Sequence, residues 1–199
     1  MKKLIVALTI SAAVLTQSAP SVRAQDASLI SKFLTTAQSA KDSQLGAIGG
    51  ELLDKVKTFG QTGLGSAAQA KLNDTLKQLT GGKDIAALGS AFDLVKDAKL
   101  TPDQLNVAKQ VGNLASAYVV QKNFASLDGS QSDVAQIVSS LREGKLTTMV
   151  SPVKNVMNNS HLTDGQKKLI KTVADKYAPG LEKAKDAVNA IKKLPGFGN

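Results

Sequence analysis

"LTPDQLNVAKQV" (residues 100–111) and "LTDGQKKLIKTV" (residues 162–173) are near-duplicates set 62 positions apart. Each carries in second place a threonine followed three places later by glutamine: Thr101 with Gln104, and Thr163 with Gln166. At that spacing the hydroxyl accepts a bond from the third backbone N–H of a starting helix. The amide then returns a bond to the N–H of the cap residue itself, so two donors that a helix start leaves unpaired are both satisfied. Pro102 suits the first helical turn, where its missing N–H loses nothing. Leu100 and Leu105 stand where a hydrophobic staple would close over the turn; in the second copy Lys167 replaces the second leucine. Both phrases read as helix starts.

The likeness extends outward. Residues 72–115 laid on 134–177 without a gap share eight identities in 44 positions, among them Leu79/Leu141, Gly82/Gly144, Lys83/Lys145, Lys109/Lys171 and Val111/Val173. Several further positions exchange one apolar residue for another, such as Leu72/Val134, Leu76/Val138 and Leu88/Val150. A fixed period with shared helix breaks and caps is how structural repeats appear in sequence. Gly82 and Gly144 each end a helix, where glycine accepts the left-handed conformation without penalty.

The hydrophobic pattern is helical nearly throughout. Val107, Ala108, Val111, Leu114, Ala115, Tyr118 and Val119 follow the three-and-four spacing of one helix face. So do Val134, Ile137, Val138 and Leu141; Met149, Val150, Val153 and Val156; Leu169, Ile170, Val173 and Tyr177; and Leu181, Ala184, Val188 and Ile191. No alternation of period two suggests a strand. The expected fold is therefore all-α, a bundle of about nine helices containing two pseudo-repeated three-helix units, at about 65–125 and 127–193. Helices are expected near 26–42, 44–58, 65–80, 83–98, 101–125, 131–142, 145–159, 163–178 and 181–193, before a frayed "LPGFGN" tail.

The first 24 residues read as a secretory signal peptide. Lys2 and Lys3 precede the apolar run "LIVALTISAAVL", and Val22 and Ala24 occupy the small-residue positions of a cleavage site before Gln25. The run is short for a membrane span, which needs about 20 residues. Residues 25–199 then form one helical domain with no transmembrane span, exported to the periplasm or the exterior. An uncleaved anchor is the rival reading. Cleavage removes Lys2, Lys3 and Arg23, leaving 22 basic against 16 acidic residues and lowering the net charge from +9 to +6. Much of that surplus lies in residues 161–199, which hold eight lysines against four acids. The chain has no cysteine, which excludes disulfides, a lipoprotein anchor and thiolate metal sites.

Motifs that could carry chemistry are incomplete. His161 is the single histidine; it could pair with Asp164, but it stands in a turn before a helix cap, and its counterpart is Lys99. "DGSQSD" (128–133) has oxygen ligands at alternate places, yet a calcium loop requires glycine sixth and glutamate twelfth, where Asp133 and Ser139 stand. It reads as a linker and helix cap, with Ser132 or Asp133 capping and Gln136 assisting. "TGGKD" (80–84) has Lys77 where a phosphate loop needs glycine and Asp84 where it needs Ser or Thr, so it reads as a helix terminator.

These readings imply no enzyme, no cofactor and no metal site, although acids scattered in sequence could converge in space. The leading expectation is an exported non-enzymatic protein acting through its helical surfaces, in a structural or protein-binding role. The alternative is weak, salt-sensitive contact with anionic lipid or polyanion through Lys167, Lys168, Lys171, Lys176, Lys183, Lys185, Lys192 and Lys193. After cleavage Arg142 is the one arginine, and there is no tryptophan, which argues against sequence-specific nucleic-acid recognition.

Overall fold

Both capping boxes form. Thr101 Oγ1 accepts from Gln104 N at 3.3 Å while Gln104 Oε1 accepts from Thr101 N at 3.0 Å. The second box repeats this, with Thr163 Oγ1 accepting from Gln166 N at 3.2 Å and Gln166 Oε1 accepting from Thr163 N at 3.0 Å. The computed structural model describes residues 20–38, 42–96 and 99–177, and among these every regular element is a helix.

The elements are α1 (Pro20–Gln38), α2 (Ser43–Gly60), α3 (Ser66–Thr80), α4 (Asp84–Val95), α5 (Pro102–Phe124), α6 (Gln131–Glu143), a 3-10 turn at Leu146–Met149 and α7 (Val150–Met157). A further helix, α8, covers 164–177. The expected helix at 181–193 lies outside the described residues, as do Lys183, Lys185, Lys192 and Lys193 and most of the signal segment. Gly82 and Gly144, which follow α3 and α6, both have φ of +69°, a left-handed conformation that other residues adopt only with strain.

α5 is the hub. It packs on α2, α4 and α6, while α3 packs on α4, α1 on α2 and α3, and α6 on α7. The sequence suggested one apolar face, but from Val111 to Gln121 every residue except Asn113 is buried. A helix enclosed on all sides needs no polar face, and Gly112, Ser116 and Ala117 keep its neighbours close. The N-terminus of α5 meets the C-terminus of α2, since Gln104 Nε2 donates to Thr62 O at 2.9 Å. Its C-terminus meets the start of α8, where Gln166 Nε2 donates to Asn123 O at 2.8 Å. Further along α8, the Tyr177 hydroxyl reaches Asn113 and Ser116 on α5. Hence α2 and α8 both run antiparallel to α5.

Phe33, Phe59 and Phe124 are fully buried, and Phe33 meets Tyr118 with ring centroids 5.1 Å apart. Each side chain of this size withdrawn from water stabilises the fold by about 1.5–3 kcal/mol. α4 meets α8 through Phe92 and Tyr177, edge to face at 5.1 Å.

Two local expectations are corrected. The single helix expected over 145–159 is a 3-10 turn followed by α7. Pro152 explains the break: in an uninterrupted α-helix its ring would strike the carbonyl of Thr148, whereas within the first turn of a new helix it is tolerated. The change in residues per turn rotates Val150 outward to 48% exposure, although its counterpart Leu88 is buried. In addition, α6 begins at Gln131, so neither Ser132 nor Asp133 caps it; Ser130 precedes it and accepts from Asn159 Nδ2 at 2.7 Å.

Candidate functional site

The densest polar constellation lies at the C-terminal turn of α5, in the consecutive residues Gln121, Lys122 and Asn123. Gln121 Nε2 donates to Asp42 Oδ2 at 2.7 Å, while Asp42 Oδ1 caps α2 by accepting from Gln44 N at 2.8 Å and Leu45 N at 3.2 Å. Lys122 Nζ lies 3.0 and 3.2 Å from the two oxygens of Asp84, the first residue of α4. Asn123 Nδ2 donates to the same carboxylate at 2.9 Å, and the Asn123 carbonyl receives Gln166. Three residues thus hold the starts of α2, α4 and α8. Carboxylates at α2 and α4 also complement the positive ends of those helix dipoles.

The electrostatics suit a clasp. The hydrogen bond from Gln121, reinforced by the backbone N–H groups of Leu45 and Gln44 against a modest burial cost, holds the Asp42 carboxyl below its ordinary value of 3.8. Asp84 is 9% exposed with two side-chain donors around it. Among the described residues no buried side-chain nitrogen or oxygen lacks a hydrogen-bond partner. The arrangement can position helices and favours the ionised form of Asp42; its donors already occupy the oxygens that a general base would offer. Sequence reasoning passed over Gln121, Lys122, Asn123, Asp42 and Asp84. The available signal was three hydrogen-bonding residues in succession at the end of an otherwise apolar helix.

The four described lysines of the anion-contact set lie on α8, but they are not equivalent. Lys167 faces Asp164 at 3.7 Å, Lys171 pairs with Asp175 at 2.6 Å, and Lys176 lies over the Phe92 ring, 5.6 Å from its centre. Lys168 is exposed and forms no ion pair with the described residues. Arg142 is engaged on α2 through both its Nε and a terminal nitrogen, which reach the two carboxylate oxygens of Glu51. That fork is the geometry by which arginine would otherwise grip a phosphate.

His161 is exposed, its backbone N donates to Asn159 Oδ1 at 2.8 Å, and Asp164, the carboxylate nearest it in sequence, is the one beside Lys167. In "DGSQSD" the chain turns at Gly129, the Asp128 carbonyl accepts from Asn159, and Asp133 accepts from Asn155 on α7. "TGGKD" is the α3–α4 turn, with Asp84 turned onto Lys122. Among the described residues no group of three or more His, Cys, Asp or Glu converges, and no helix is long and apolar enough to cross a membrane. A shallow recess of about 280 Å³ lies between α6 and the 3-10 turn, lined by Gln136, Ser139, Ser140, Glu143, Lys145 and Thr148. Ser140 and Thr148 bond each other across it at 2.7 Å, and Lys145 pairs with Glu143 at 2.7 Å.

No protein-family model, no curated protein and no solved structure matches the chain.

Proposed function

We propose that this is an exported, non-enzymatic helical scaffold that works through its outer surfaces, as a structural or protein-binding component of the cell envelope or exterior. The observation that carries this reading is the employment of the polar side chains at the helix joints. Gln104, Gln121, Lys122, Asn123 and Gln166 each bridge one helix to another. A fold whose best-organised polar groups serve its own joints leaves the rest of its outer face for recognition, although a fold alone does not assign a function.

The scaffold contains two pseudo-repeated three-helix units, at about 65–125 and 127–193: α3, α4 and α5 belong to the first, and α6, α7 and α8 to the second. Supporting this are the left-handed glycines, the two capping boxes, and the glutamines that each reach back to the end of an earlier helix. Paired positions such as Leu72/Val134, Leu79/Leu141, Ala91/Val153, Leu94/Val156 and Val111/Val173 are also buried in both copies.

The alternative, binding to anionic lipid or polymer, is weakened on α8 by the pairing of Lys167, Lys171 and Lys176, which leaves Lys168 and the lysines beyond 177. Co-sedimentation of the exported protein with anionic and neutral vesicles, at low and moderate salt, separates the two. The scaffold reading expects no salt-sensitive preference for anionic vesicles. Strong binding that is lost when Lys168, Lys183, Lys185, Lys192 and Lys193 become glutamine would overturn it.

A further inference from the structure

We infer that Gln25 is a modification site: on export it becomes the N-terminal residue and closes into a pyroglutamyl ring that seals the start of α1. This rests on the export reading above, with cleavage after Ala24. α1 runs unbroken across that point, from Pro20 to Gln38. Cleavage therefore shortens a helix, and the rest of that helix matters to the fold. Phe33 and Ala37, farther along α1, are buried at 0% and 2% exposure, and Phe33 packs on Tyr118 of the hub helix. The segment 25–38 is what brings them there.

Cleavage also creates an electrostatic mismatch. The new α-ammonium group stands at the N-terminal end of a helix, where the unpaired backbone N–H groups already present a partial positive charge. Glutamine removes the mismatch by its own chemistry. The neutral α-amine attacks the side-chain Cδ, the bond from Cδ to Nε2 breaks, and ammonia leaves, taking the proton lost by the attacking nitrogen. A five-membered lactam results. Nothing is oxidised or reduced, and no co-reactant is needed. The positive charge is gone and one N–H remains, as when a terminal charge is removed by acetylation. Asp26, next in the chain, then stands alone in the first turn as a negative charge of the favoured sign. The ring also leaves no free amine for an aminopeptidase, so the segment that delivers Phe33 is protected from trimming.

The test is the intact mass of the full chain, expressed in an exporting host and isolated promptly at neutral pH, together with digestion by an aminopeptidase. The expected species starts at Gln25, weighs one ammonia less than the unmodified chain, and resists the enzyme until a pyroglutamyl peptidase is added. The Gln25→Ser variant should carry a free amine and be trimmed directly. A chain that starts at Gln25 with a free amine overturns the modification and leaves export standing. A chain that still carries residues 1–24, or starts elsewhere, overturns the cleavage reading and the modification together.

Discussion

The side-chain amide of Gln166 donates to the carbonyl of Asn123 at 2.8 Å, and the amide of Gln104 donates to the carbonyl of Thr62 at 2.9 Å. In both places a glutamine at the third position of a helix serves its own cap with its oxygen and ties down the end of an earlier helix with its nitrogen. One residue type therefore couples the start of a helix to the packing of its antiparallel neighbour.

The two roles can be separated by substitution with glutamate, which keeps the accepting oxygen that a capping box requires and removes the donor. Gln104→Glu and Gln166→Glu should each destabilise the protein, by roughly 1–3 kcal/mol for a carbonyl left without its partner. The loss should be larger at Gln104, which is buried, than at the half-buried Gln166. Urea midpoints at constant slope measure it. Parent-like stability for both variants would show that water replaces the joint at no cost and would remove one support for the repeated unit.

How much of this was legible follows from which forces act locally. Capping boxes, the glycine terminators and the faces of α6 and α8 depend on residues within one or two turns, so their spacing exposes them. Thr101→Ala should accordingly cost about 1 kcal/mol, the usual worth of an N-cap, in a thermal or urea melt. The enclosure of α5 was not legible, because burial on every side depends on neighbours that the sequence of one helix does not name. Nor was the clasp: Asp42, Asp84 and Gln166 lie 79, 38 and 43 residues from the α5 atoms they meet. Pro152 was visible, but matching the segment to 83–98, where Ser90 holds the equivalent place, concealed the break it imposes.

Two adjacent glycines in α2 should respond in opposite directions. A Cβ on Gly49 would lie 2.6 Å from the Cβ of Ala37, with Tyr118 and Phe33 close behind, whereas a Cβ on Gly50 meets nothing within 4 Å. Gly49→Ala should push α1 off α2 and cost about 1–3 kcal/mol, as overpacking does. Gly50→Ala should be neutral or stabilising by up to about 1 kcal/mol, because alanine loses less backbone freedom in a helix. Thermal melts of both variants give the comparison, and a harmless Gly49→Ala would refute the close approach of the two helices.

Acid should loosen the clasp through Asp42. Its carboxyl is held below the ordinary 3.8, first by the bond from Gln121 and then by the N–H groups of Leu45 and Gln44. A depressed value means that the unfolded chain takes up a proton before the folded one does. The stabilisation is therefore fully present above 3.8 and fades as pH falls through the lower, folded value. Asp42→Asn should lower stability at neutral pH and flatten the acid limb of a melting-temperature profile. An acid limb identical to the parent's would show that Asp42 does not titrate differently in the two states.

Base should act through the tyrosines. The chain has two, Tyr118 and Tyr177, and both are buried. Burial pushes both phenols above their ordinary value of 10.0, with the Asp84 charge adding to the effect at Tyr118; at Tyr177 burial outweighs the bond to Ser116. The Tyr177 hydroxyl lies 3.0 Å from Asn113 Oδ1 and 3.1 Å from Ser116 Oγ, and Ser116 donates its own proton to Gly112 O. The phenol must therefore keep its proton to donate in this network. With folded values above the unfolded ones, the contribution to stability is complete below pH 10.0 and is lost as pH rises beyond it, because the unfolded chain ionises first. Tyrosinate absorbance should consequently stay flat past the ordinary value and then rise in one cooperative step coincident with the loss of helical circular dichroism. Tyr177→Phe should halve that step and, by leaving Asn113 without its donor, cost roughly 1–2 kcal/mol at neutral pH. A smooth titration centred near 10 with the helices intact would mean that the phenols reach solvent and that α8 is not seated on α5 as the structure has it.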